Sequence, residues 1–161
     1  MPTGHLLQDI DSKELRRLFE AFVVHCLSRL VDQGFVTANQ INQSNWYVLL
    51  ADDNSRLVSE GFLAGTSLDN NQRPYIVFDT QQSLRDQIWA IPHEAIHLAQ
   101  ICKGDFLPCW GYSLWKGRRF EKLAADHPKY FEDQPWEKEA RALEDPIRKH
   151  FYQTYPDLRV Q

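Results

Sequence analysis

Cysteine, methionine and glycine are scarce in this chain, with three, one and seven residues among 161. Cys26, Cys102 and Cys109 are odd in number and lack Cys-x-x-Cys spacing, which speaks against a disulfide framework and a thiolate zinc site. They read as small buried hydrophobes, reduced in a cytosolic setting. Long apolar runs are missing too: nothing approaches the roughly 20 residues of a membrane span, and Met1 to Asp11 holds no basic segment followed by an apolar one. No membrane association is expected, and the expected location is cytoplasmic. Nor is there an excess of positive charge. A net charge of −4 and a pI near 5.8 argue against a general nucleic-acid binder.

What the chain does hold is an ordinary globular composition, 43% hydrophobic and 25% charged, so residues 1–161 are expected to form one domain with a core that needs no staples. Within it stands His93-Glu94-Ala95-Ile96-His97. On a helix the two histidines share one face, their Cβ atoms roughly 5–6 Å apart, within reach of a single ion. Glu94 is rotated by about 100°, near enough to meet a water but angled away from ligation. A chance match in this composition has a probability of about 1 in 100, so the pattern outweighs the plain reading of a helix with two polar histidines. Neutral imidazoles beside an apolar face of Ala95, Ile96 and Ala99 suit zinc.

The surrounding elements follow from periodicity. Asp11-Ser12-Lys13-Glu14 offers a capping box, and Leu15, Leu18, Phe19, Phe22, Cys26 and Leu30 recur at helical spacing until Gly34. His25 on this helix has no i+4 partner and reads as a solvated or core-edge histidine. Trp46 to Leu50, a weaker run from Arg56 to Ala64, and Tyr75 to Phe78 read as strands, and their short connections predict an antiparallel three-stranded meander. Asp69 to Pro74 is turn chemistry, and Pro74 at a strand start predicts an edge position for Tyr75 to Phe78. Thr80 or Ser83 caps the motif helix, and Pro92 is expected to kink it or split it in two.

Residues 106–136 hold eight of the twenty aromatic residues, among them Phe106, Trp110, Phe120 and Trp136, and read either as a cleft wall or as a satellite cluster under a loop. Tyr112 to Phe120 suggests a hairpin turning at Lys116-Gly117. Lys116, Arg118, Arg119 and Lys122 form a basic run, read as a solvated face with an acidic substrate or partner as the alternative. The last helix starts at Pro135, with Trp136, Ala140, Leu143, Ile147 and Phe151 as its apolar stripe. Pro146 is expected to kink or divide it, and Asp145 to leave helical angles.

A catalytic zinc takes three protein ligands. A third histidine in the longer His-Glu-x-x-His-x-x-Gly-x-x-His pattern is excluded by Gln100 and Lys103. A downstream carboxylate remains, and Glu137 and Glu139 lie about 80° to either side of the stripe, so periodicity does not choose between them. Pro135-Trp136-Glu137-Lys138-Glu139-Ala140 is similar to the Pro-Trp-Glu-x-Glu-Ala stretch that follows His-Glu-x-x-His in short phage and bacterial proteins of gluzincin type, and the Trp-Lys-Gly run at Trp115 also resembles theirs. The resemblance implies Glu137 as the third ligand of Zn2+ beside His93 and His97, and Ala140 as the small residue packed on the motif helix. It implies Glu94 as catalytic base of a metallopeptidase acting on a peptide or protein. Where gluzincins often carry an Asp that steadies a ligand histidine, this chain has Arg141.

The expected fold is α+β and zincin-like: an N-terminal helix, a small, mainly antiparallel three-stranded sheet, the motif helix and a C-terminal glutamate helix. Tyr75 to Phe78 would pair with substrate. Tyr112, His127, Tyr130 and His150 are candidate oxyanion donors, with nothing to separate them. The alternative is a metal-bound, non-catalytic protein-binding module.

Overall fold

The computed structural model describes residues 11–51 and 64–159. Helix α1 spans Ser12–Asp32 and α2 Ala38–Ser44. Strands β1 (Tyr47–Ala51), β2 (Ala64–Leu68) and β3 (Pro74–Asp79) precede α3 (Leu84–Cys102). Strands β4 (Phe106–Pro108), β5 (Tyr112–Trp115) and β6 (Arg118–Glu121) then lead to α4 (Pro135–Thr154) and a 3-10 turn at Pro156–Leu158. The architecture is α+β, with two separate three-stranded sheets rather than the single one expected from sequence.

Local chemistry sets the helix ends. Asp11 accepts the amide of Glu14 at the start of α1, and Gly34, at φ 76°, takes the left-handed turn that stops it. Ser83, not Thr80, caps α3 by accepting the amide of Asp86, while the Thr80 hydroxyl bonds the Ala51 carbonyl. Pro135 occupies the first turn of α4.

Two expectations about the first sheet are corrected. The first sheet is not a meander: its order is β1-β3-β2, with β1 parallel and β2 antiparallel to β3. Consequently Tyr75 to Phe78 lies in the central strand, not at an edge. Ile76, Val77 and Phe78 are all buried, the mark of a strand covered on both faces. Pro74 is accommodated because the β1 register begins only at Tyr75, so no β1 residue stands opposite its missing N–H. The second expected strand, Arg56 to Ala64, lies outside the described residues apart from Ala64, where β2 begins.

The prolines do not divide their helices either. Both α3 and α4 are single helices with Pro92 and Pro146 inside, and Asp145 is helical. Ile88, Ile91, Ala95 and Ile96 around Pro92 are fully buried, as are Ala140 and Phe151 around Pro146. Burying a few such side chains, at roughly 1.5–3 kcal/mol each, outweighs a proline penalty of about 3 kcal/mol.

Helix α3 is the hub, packed against α1, α4, β2 and β3. Phe19 of α1 meets Phe78 of β3 with ring centroids 4.8 Å apart, and Phe22 meets Phe151 of α4 at 5.4 Å. That core fixes α4 across α3, which brings the starts of both motifs together. Among the described residues no helix is long and apolar enough to cross a membrane.

Candidate metal centre

One helical turn separates His93 from His97 on α3, and their Nε2 atoms are 3.0 Å apart. Glu137, in the first turn of α4, completes the group. Its Oε2 lies 3.0 Å from His93 Nε2 and its Oε1 3.0 Å from His97 Nε2. Ala140, one turn on and without exposed surface, is small enough for α4 to approach α3 here. Glu139 points elsewhere and accepts the Gln100 amide at 3.1 Å. The structure thus gathers the three residues singled out as ligands and leaves the rival glutamate aside.

The hydrogen bonds behind the imidazoles decide what their front atoms are. Gln100 donates its Nε2 to the Trp136 carbonyl and to Glu139, which leaves its Oε1 to accept from His97 Nδ1 at 2.8 Å. Glu144 Oε2 likewise takes His93 Nδ1 at 3.2 Å. With the Nδ1 protons given to these acceptors, neutral imidazoles would present both Nε2 atoms toward Glu137 as lone pairs, the form that a metal takes. Such a group is balanced by a cation among the three or, without one, by protons that the imidazoles share with the carboxylate.

In the metal-free group protons take that place. Burial depresses His93, but hydrogen bonds to Glu137 and Glu144 and the charge of Glu94 outweigh it and lift the imidazole to about 10. His97 is also raised against its burial, chiefly by the Glu137 charge. Glu137 is itself held well below the usual carboxylate range: burial would raise it, and the two histidines overcome that. Two imidazoles and one carboxylate, nearly enclosed, could hold a metal ion, and their number and type are those that zinc accepts. Zinc bonds of about 2.0–2.1 Å in tetrahedral geometry place ligand atoms roughly 3.3 Å apart, a small adjustment from the spacing found.

Around this group stand residues of different reach. Glu94 is buried beside the ligands, and the Thr66 hydroxyl of β2 donates to its Oε2 at 2.5 Å. Tyr130 donates its hydroxyl to Glu137 Oε1 at 3.1 Å, and burial together with the Glu137 charge pushes its pKa upward, so it stays protonated. Of the four oxyanion candidates, Tyr130 is the one in contact with the centre. Tyr112 lies under the Arg119 guanidinium, His127 accepts the Lys129 amide, and His150 pairs with His25. The Phe106 ring packs 5.8 Å from that of His97 and stacks on Trp136, so this part of the aromatic segment is buried packing against His97. A groove between α1 and α2, lined by Val24, Leu27, Val31, Ile41 and Trp46, belongs to helices that contribute nothing to the centre.

No family model matches the chain, and searches of curated proteins and of solved structures gave no match.

Sequence reasoning missed Thr66, Gln100 and Glu144. For two of them a signal exists: Gln100 is i+3 from His97 and Glu144 is i+7 from Glu137, both spacings that return to the same helix face. Arg141, where a supporting carboxylate was expected by resemblance, stacks on Phe131 instead. Glu144, nearly one turn further, does that work.

Proposed function

We propose that this chain is a zinc-dependent hydrolase of peptide bonds, of gluzincin-like type. The observation that supports the reading is the convergence of two imidazole Nε2 atoms and the Glu137 carboxylate beside a buried Glu94 that does not join them. His93, His97 and Glu137 would hold the ion, which when bound supplies a Lewis acid and lowers the pKa of a water toward 7.

The protein's own groups then divide the remaining work. Glu94 has one carboxylate oxygen engaged by Thr66 and the other available to take a proton from the attacking water and return it to the departing nitrogen. Tyr130 keeps its proton and offers a donor for the developing oxyanion. Strand β2 forms the outer edge of the first sheet and carries Thr66 against Glu94, so an extended substrate pairing with that edge would lie along the centre. Phe106 and Trp136 help to exclude water on the facing side.

The test is elemental analysis joined to a peptide-cleavage assay. About one zinc per chain is expected, lost in His97→Ala and Glu137→Ala and kept in Glu139→Ala. Glu94→Gln should keep the metal and lose on the order of 10²–10⁴ in rate. Undiminished turnover by zinc-loaded Glu94→Gln overturns the mechanism, and a zinc-loaded parent that cleaves nothing points instead to a binding module.

A further inference from the structure

The basic run at 116–122 takes no part in that chemistry, yet the sheet delivers it to the site. Strand β5 sits between β4 and β6, and the register places Phe106 opposite Trp115 and Trp115 opposite Arg118. Directly opposed residues project from the same face of a sheet. Phe106 turns that face toward His97, so Trp115 and Arg118 project on the side of the metal centre. Arg118 is two strand spacings, about 10 Å, from Phe106 along this row. The tip is pinned rather than loose. Lys116 and Gly117 occupy a two-residue turn with φ of 50° and 82°, and the Lys116 amide bonds the Asp105 carbonyl at 2.7 Å.

Charge is distributed unevenly around this tip. Residues 112–122 contain Lys116, Arg118, Arg119 and Lys122 against Glu121 alone, a net +3. Since the whole chain carries −4, the other 150 residues carry −7. Arg119 is engaged by Glu121 at 3.1 Å. Arg118 and Lys116 lie over the rings of Phe120 and Trp115, at 5.3 and 5.6 Å, and neither meets a carboxylate among the described residues.

Resting on the hydrolase reading, we propose that Arg118 and Lys116 form a subsite for an acidic side chain of the substrate, an Asp or Glu several residues from the bond that is cut. Arg118 is about 10 Å from Phe106, whose ring is itself 5.8 Å from that of His97, so at about 3.3 Å per residue the subsite lies several residues of extended chain from the centre. The partner is a peptide rather than a nucleic acid. An extended polyanion meets the −7 remainder, whereas a single carboxylate is dominated by the two nearest cations, because charges beyond about 8–10 Å are screened.

The test uses zinc-loaded Glu94→Gln protein and fluorescein-labelled random nonapeptide pools, each with Asp or Asn fixed at one position in turn. One pair of pools should differ by about 5- to 10-fold in affinity, the size expected of two exposed ion pairs, and the difference should vanish in Arg118→Gln/Lys116→Gln and in 0.5 M salt. Equal binding of Asp and Asn pools, no binding at all, or a preference that survives the double variant overturns the subsite. Cleavage by the parent protein is scored on the same pools. Cleavage without acidic preference sinks the subsite alone, whereas an Asp preference in a parent that cleaves nothing sinks the hydrolase reading and leaves the subsite standing.

Discussion

Glu137 and Glu144 lie two helical turns apart on α4 and grip opposite sides of one imidazole: Glu137 Oε2 is 3.0 Å from His93 Nε2, and Glu144 Oε2 is 3.2 Å from His93 Nδ1. A single helix thus provides both a candidate ligand and the group that orients its neighbour. Behind Glu144, the nearly buried Arg148 donates to Glu144 at 3.2 Å and to the Trp89 carbonyl at 3.1 Å, tying α4 to the turn of α3 that precedes His93.

From this arrangement, Glu144→Ala and Arg148→Met should each weaken zinc binding by about 10- to 100-fold, the usual cost of losing a group that supports a ligand. Competition with a chromophoric chelator reads the affinity directly. Methionine keeps most of the stacking volume over Trp89, so circular dichroism of Arg148→Met should match the parent. Unchanged affinity in both variants would show that His93 is oriented without them.

Thr66 is expected to position Glu94. Thr66→Val preserves shape but removes the hydroxyl, and a hydrogen bond to a charged group is worth about 1.5–3 kcal/mol. Peptide cleavage should therefore fall roughly 10- to 100-fold in kcat, with zinc content and KM steady, and Thr66→Ser should restore it. A loss of zinc in the valine variant would assign Thr66 a purely architectural part.

Acid should loosen the contact between α1 and α4. His25 Nε2 and His150 Nδ1 are 3.0 Å apart with stacked rings, and burial, followed by the charges of His150 and Arg29, lowers the His25 pKa below its ordinary 6.5. A lowered value in the folded state means that the unfolded chain binds the proton first. Stability is then whole above pH 6.5 and declines as the pH drops from there toward the folded value. Urea midpoints of the chelator-treated protein at pH 7.5 and 5.5 should differ by less in His25→Gln than in the parent, and an equal difference would remove His25 as the cause.

The three long helices, the hairpin at Lys116-Gly117 and the pair of His93 and His97 were legible because each rests on local spacing, whereas Glu137 was favoured over Glu139 by the resemblance alone. The sheet was not. Nothing in Tyr75 to Phe78 announces that β1 will lie parallel to it, since strand order is decided by which face covers which, and only the unbroken apolar run Ile76-Val77-Phe78 hinted at a central place. Strand β2 was hard to see because Ala64-Gly65-Thr66-Ser67 has weak strand character, and Thr66 went unnoticed with it. Pro92 and Pro146 suggested a division of their helices that does not occur, for the opposite reason. They are strong local signals, overruled by the burial of Ile91, Ile96, Ala140 and Phe151 on neighbouring turns.

His93 and Glu137 are 44 residues apart in sequence. An ion shared between them would close a chain loop whose entropy of closure is about 3 kcal/mol, and the whole second sheet and most of the aromatic segment lie inside that loop. The cation would thus serve as a removable fastener for the segment packed beside it. Its loss would lengthen the free chain on that side while α1, β3 and the first turns of α3, outside the loop, stay fastened to one another.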